Sequence, residues 1–141
     1  EVFRSMRAGG LTAANCTCSV WDGFRGTMEN IAQWKQWFRE HDDILMQVFS
    51  TDDIRRAKAA GKVGIIFGWQ NTSPVEDRLD YFGIFKDLGV NTWQISVDDA
   101  KEHLPGLNTD GVGRVAYEPE SGYADPHAAT NALIEKARVN F

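Results

Sequence analysis

Long apolar runs are missing from this 141-residue sequence: nothing in it approaches the roughly 20 residues that a membrane-crossing helix requires, and its first residues lack the basic, apolar, small-residue order of a secretion signal. Positive charge is also short, with 15 Lys and Arg against 20 Asp and Glu, a net charge of −5 and a pI near 5.1. The densest basic run, Arg55, Arg56 and Lys58, sits beside Asp52 and Asp53, so no stripe could neutralise phosphates. Neither a nucleic acid nor a membrane is expected as a partner. Histidine is sparse and scattered, at His41, His103 and His127, whereas metal sites are built from clusters; each is expected to be structural or solvated. Only two cysteines occur, Cys16 and Cys18. On a strand they would point to one side, where a disulfide would distort the extended backbone, so free thiols and a reducing, cytoplasmic setting are expected. Internal repeats, low-complexity tracts and charge blocks are absent as well.

What remains is the composition of one compact unit, 43% hydrophobic and 25% charged. Glu1 onward reads as the end of a helix, which suggests an upstream portion, and Gly9-Gly10 breaks it. Leu11 to Trp21 is a mostly uncharged run expected to be a buried strand. A helix over 28–49 follows from Ile31, Trp34, Phe38, Leu45 and Val48, which recur at helical spacing with Lys35 and Glu40 outside the stripe. Thr51-Asp52-Asp53 opens a short helix that Gly61 stops. The unalternating run at 63–70 predicts a strand covered on both faces. Ser73-Pro74-Val75-Glu76 has the form of a capping box with proline at the first helical position, predicting a helix over 74–88 with Val75, Leu79, Phe82 and Phe85 inside. A strand over 90–96 completes an alternation of strands and helices that builds parallel sheets or barrels, so strands 11–21, 63–70 and 90–96 are expected to be parallel neighbours.

Five segments carry a resemblance to a known family: Arg7-Ala8-Gly9-Gly10-Leu11; Ser19-Val20-Trp21; Asp53-Ile54-Arg55-Arg56-Ala57; Gly61-Lys62-Val63-Gly64 with Gly68-Trp69-Gln70; and Phe85-Lys86-Asp87-Leu88-Gly89-Val90. In order and spacing they resemble the renal (membrane) dipeptidases, metallohydrolases of the amidohydrolase type. The resemblance implies an α/β fold that is part of a (β/α)8 barrel, two zinc ions, and hydrolysis of dipeptides or related small amides. It places a bridging carboxylate at the end of the strand that here finishes in Gln70, a neutral amide and a poor bridge between two dications. The His-x-Asp pair that it implies would lie upstream of Glu1, and its later histidines have no counterpart here. By this resemblance Gln70 is the candidate at the metal position, with Asn71 and Thr72 beside it on the adjoining loop as candidate substrate contacts; Ser73 is expected to serve only the turn.

The wording changes after about residue 96, which divides the chain into 1–96, a partial barrel, and 97–141, a tail of strand and helix. Asp98 to His103 reads as a short helix, Val112 to Glu118 as a strand, and Ala128 to Val139 as a helix opened by Asp125-Pro126. Leu104 to Gly111, Tyr117-Glu118-Pro119 and Gly122 to His127 resemble the middle of FAD-dependent sarcosine and dimethylglycine oxidases, as a chimera would. The Gly-rich dinucleotide fingerprint is absent, so bound FAD is not expected. The readings that follow are a fragment or degenerate relative of a metal-dependent dipeptidase, inactive as it stands; a non-catalytic α/β interaction module or chimera; and a fragment of a flavin amine oxidase. An incomplete barrel leaves open strand edges, so a homo-oligomer or a missing segment is expected to cover them.

Overall fold

The computed structural model describes residues 1–118 together with 127, 128, 130, 131, 134 and 135. In chain order its elements are α1 (Val2–Ala8), β1 (Ala13–Thr17), α2 (Phe24–Glu40), β2 (Leu45–Val48), α3 (Thr51–Ala59), β3 (Val63–Gly68), a 3-10 turn (Ser73–Val75), α4 (Tyr81–Asp87), β4 (Trp93–Ile95), α5 (Val97–His103) and β5 (Val115–Tyr117). The helix expected over 128–139 lies largely outside the described residues. No described helix is long and apolar enough to cross a membrane.

Three strands form a parallel sheet in the order β1-β3-β2, with Ala13 opposite Gly64 and Thr17 opposite Gly68 on one side, and Leu45 opposite Val63 on the other. The parallel pairing of the first and third strands follows the sequence reading. Strand β3 is covered on both faces, as its unalternating composition predicts. Val63, Ile65 and Phe67 are buried against a cluster that includes Ile31, Phe85 and Val90, and Trp34 and Phe38 of α2 pack onto it. On the opposite face Gly64 looks onto Ala57 of α3: a Cβ placed on Gly64 would lie 3.5 Å from the Ala57 methyl. Burying a residue such as Phe67 or Phe85 contributes about 1.5–3 kcal/mol each, which makes this cluster the main stabilising unit.

The expected helix over 28–49 is two elements. Helix α2 ends at Glu40, and the His41 carbonyl accepts from the amides of both Ile44 and Leu45, turning the chain into β2. Leu45 and Val48 do belong to the core, but from a strand whose two ends are both buried. Lys35, expected on the outer side, is half-buried: its ammonium donates to Gln47 Oε1 of β2 and lies 6.0 Å from the Phe67 ring centre.

The helix over 74–88 is interrupted. Ser73 does not cap; its amide and hydroxyl both donate to Asn71 Oδ1, and only one 3-10 turn follows before Glu76 takes the left-handed region at φ 54°. Glu76 then reaches back to accept from the Phe24 amide at 2.9 Å, capping α2 from a distant part of the chain. Gly23 makes room for that carboxylate, since a Cβ there would lie 2.5 Å from Glu76 Oε1. Leu79, expected inside, is exposed. Helix α3 behaves as its sequence predicts, with Gly61 at φ 64° just past its end.

The expected strand over 90–96 joins the parallel sheet at one point, a parallel bridge between Val90 and Phe67. Beyond it the chain leaves that sheet, because β4 pairs antiparallel with β5, Trp93 opposite Tyr117 and Ile95 opposite Val115.

Candidate functional site

The chain beyond the C-terminal end of β3 is held by backbone and side-chain bonds to the chain beyond β1. The Cys18 amide donates to the Gly68 carbonyl at 2.8 Å, and the Gln70 amide donates to the Ser19 carbonyl at 3.0 Å. Asn71 Nδ2 donates to the Val20 carbonyl. Trp69 is anchored edge-on against Phe85, ring centres 4.6 Å apart, and against Phe82 at 6.2 Å. These contacts fix the strand-end loop over a packed aromatic floor.

An open cavity of about 340 Å³ lies at this place, lined by Trp69, Gln70, Asn71 and Thr72 from the loop, Thr92 from the approach to β4, and Ala116 and Glu118 from β5 and its end. The three residues singled out in the sequence therefore come together at one site. Their roles differ. Gln70 is exposed and its side chain makes no hydrogen bond among the described residues, which leaves its amide available. Asn71 has both ends of its amide committed, to Val20 and to Ser73, so it shapes the loop. Thr72 is exposed and borders a second cavity of about 170 Å³, in which Arg114 and Glu76 take part.

Thr92 is a lining residue that the sequence did not reveal. It is fully buried, and its hydroxyl finds no hydrogen-bond partner among the described residues. Leaving such a group unpaired costs about 1–3 kcal/mol. Nothing in its local sequence marks Thr92, and Glu118 was equally silent, because both reach the cavity only through the β4-β5 pairing.

The lining set offers one carboxylate, two carboxamides and two hydroxyls, and no group of three or more His, Cys, Asp or Glu able to hold a metal ion occurs among the described residues. This donor set does not fit the pair of zinc ions that the sequence resemblance implies, since two dications held together need several anionic or imidazole ligands. The histidines are elsewhere. His41 follows α2 and meets Phe3 edge-on at 5.2 Å, His103 ends α5 and stacks on Tyr117 at 4.5 Å, and His127 is exposed.

The two cysteines are free thiols at the end of β1. Cys18 is buried and its sulfur folds back to 3.7 Å from the Cys16 carbonyl. A hydrogen bond from Cys18 lowers the half-buried Cys16 thiol to about 7, with Trp34 helping and burial opposing. The same hydrogen bond, together with burial and the nearby Cys16 charge, pushes Cys18 far up.

Comparison with known proteins agrees with the dipeptidase-like part of the sequence. No family model matches the chain, and no curated protein matches it. Among solved structures, an amidohydrolase from Pseudomonas aeruginosa is similar at 50% identity and a TM-score of 0.61, over 63% of this chain and 27% of that one. The probable dipeptidase PvdM from Pseudomonas aeruginosa is similar in fold, at 17% identity and a TM-score of 0.58, over 64% of this chain and 26% of that one. The oxidase likeness of the tail gains no support from either. This chain spans about a quarter of the length of both proteins, and over the part they share it is similar in sequence to the amidohydrolase and in fold to both.

Proposed function

We propose that this chain is a fragment or degenerate relative of a metal-dependent dipeptidase, folded as part of a (β/α) barrel, and that it does not hydrolyse dipeptides by itself. The 50% identity to an amidohydrolase carries the family part of this reading. Gln70, at the end of β3 where the sequence resemblance puts a bridging carboxylate, supports the inactive part. In this reading Gln70 marks the former metal position, and Thr72 borders the space for a small dipeptide-like or amide ligand. The free thiols fit a reducing, cytoplasmic setting.

The test is zinc analysis and dipeptide hydrolysis on zinc-loaded wild type and Gln70→Glu. Well under one zinc per chain and no turnover are expected in the wild type. Little recovery is expected in the variant, because one restored ligand cannot supply the missing geometry. Two tightly held zinc ions in the wild type, with chelator-sensitive turnover, would overturn the reading.

A second reading, a non-catalytic interaction module, is favoured by one observation. Among the described residues β1 and β2 pair only with β3, so each leaves an outer backbone edge unpaired. Self-association, or pairing with a segment not included in this chain, would cover those edges.

A further inference from the structure

We propose that Cys16 is a peroxide-sensitive modification site with Cys18 as its resolving thiol, the two closing a reversible disulfide at the end of β1. Neither cysteine lines the cavity at the end of β3, so the site is independent of the functional reading above.

Geometry and access carry it. Cys16 is the penultimate residue of β1, and Cys18 lies just beyond the strand, at a bend, with its sulfur turned back to 3.7 Å from the Cys16 carbonyl. Residues two apart on a strand have α carbons about 6.6 Å apart, near the outer limit for a disulfide. Closure is therefore within reach but strained, and strained disulfides are the readily reduced ones. Cys16 is partly exposed and Cys18 buried, so an oxidant from solvent meets Cys16 first, and Cys18 reacts through its neighbour. The charge states agree. Lowered to about 7 chiefly by the hydrogen bond from Cys18, Cys16 is in good part thiolate at neutral pH, the form that attacks peroxide. Cys18 is pushed up chiefly by its hydrogen bond with Cys16, then by burial and by the Cys16 charge. Once Cys16 is oxidised and neutral, that charge is gone and the Cys18 proton is easier to release. In the first step the Cys16 sulfur attacks one oxygen of hydrogen peroxide, the O–O bond breaks, and Cys16 becomes a sulfenic acid while the departing hydroxide takes up a proton as water. In the second, Cys18 gives up its proton, its sulfur bonds to that of Cys16, and the S–O bond breaks with water leaving. Two thiols lose two electrons in all, and the peroxide is reduced to two waters. A dithiol reverses the change by exchange.

The test exposes the full, folded chain to a small excess of hydrogen peroxide at pH 7, quenches with an alkylating agent, and reads the tryptic peptide 8–25 by mass. That peptide holds both cysteines and no methionine, so every oxygen gained or hydrogen lost is assigned to the thiols or their products. In the wild type the peptide should become lighter by two hydrogens and resist alkylation until dithiothreitol restores both thiols. The rate should rise with pH to half its maximum near pH 7. Cys18→Ala should stop at the sulfenic acid, trapped by dimedone on Cys16, and Cys16→Ser should slow oxidation of Cys18 at least tenfold. Should Cys18→Ala fail to fold, the wild type and Cys16→Ser, altered at a partly exposed position, decide alone. A wild-type peptide that gains oxygens without losing hydrogens, disulfides formed only between chains, thiols left unreacted, or a Cys16→Ser chain oxidised at Cys18 as fast as the wild type would overturn the proposal.

Discussion

At the scale of the residue, Cys16 is the group whose chemistry departs furthest from its ordinary behaviour while remaining partly accessible. With its thiol near 7, its alkylation by iodoacetamide should rise with pH and reach half its maximum near pH 7, whereas buried Cys18 should stay unmodified in the folded chain. Mass spectrometry of peptides after timed labelling checks this; a midpoint near the ordinary cysteine value would show that the thiol pair is not in contact. Two thiols on one side of a strand were legible beforehand, but not their contact, which depends on the bend after Thr17. Gln70 was legible because a resemblance pointed to its position. Thr92 and Glu118 were not, because a residue becomes part of a cavity through a pairing that no local spacing encodes. Glu76 shows the same blindness in reverse: its spacing from Ser73 suggested a cap on its own helix, and it caps α2 instead.

At the scale of the element, helix α3 is the best specified. Ser50 Oγ accepts from the Asp53 amide, and the Asp53 carboxylate accepts from the Ser50 and Phe49 amides at 2.9 Å, a reciprocal cap that also fixes the exit from β2. The Phe49 amide holds Asp53 below the usual carboxylate range, with Ser50 and Arg56 adding to it and burial opposing. A carboxyl depressed in the folded state stabilises above its unfolded value, about 3.9, and that contribution fades as pH falls through the folded one. Asp53→Asn should therefore destabilise at pH 7 and differ much less from wild type at pH 3, as urea midpoints would show; a gap that widens on acidification contradicts the assignment. Ser50→Ala should cost about 1 kcal/mol. This helix could be read in advance because start, charge and stop signals all agree. The stripe from Ile31 to Val48 misled for the opposite reason: Leu45 and Val48 keep helical spacing by coincidence, and the polar His41-Asp42-Asp43 between them and Phe38 was the only mark of the turn.

At the scale of the molecule, the outer edges of β1 and β2 are unpaired among the described residues and present backbone donors and acceptors to whatever meets them. Sedimentation velocity over about a hundredfold concentration range should show dimers or larger species growing with concentration; a monomer throughout would remove the argument for self-association. The alternation of elements made parallel pairing of β1 with β3 legible, whereas the antiparallel turn of β4 toward β5 depends on contacts between parts of the chain too far apart for periodicity to register. The strand order has one more consequence. Strand β3 lies in the middle of its sheet yet is the last of the three to be synthesised. Among the described residues, β1 and β2 therefore find their strand partner only after Val63 has emerged from the ribosome. Once Gly68 is out, both pairings become available together, so the sheet assembles around its latest member rather than growing outward from its first.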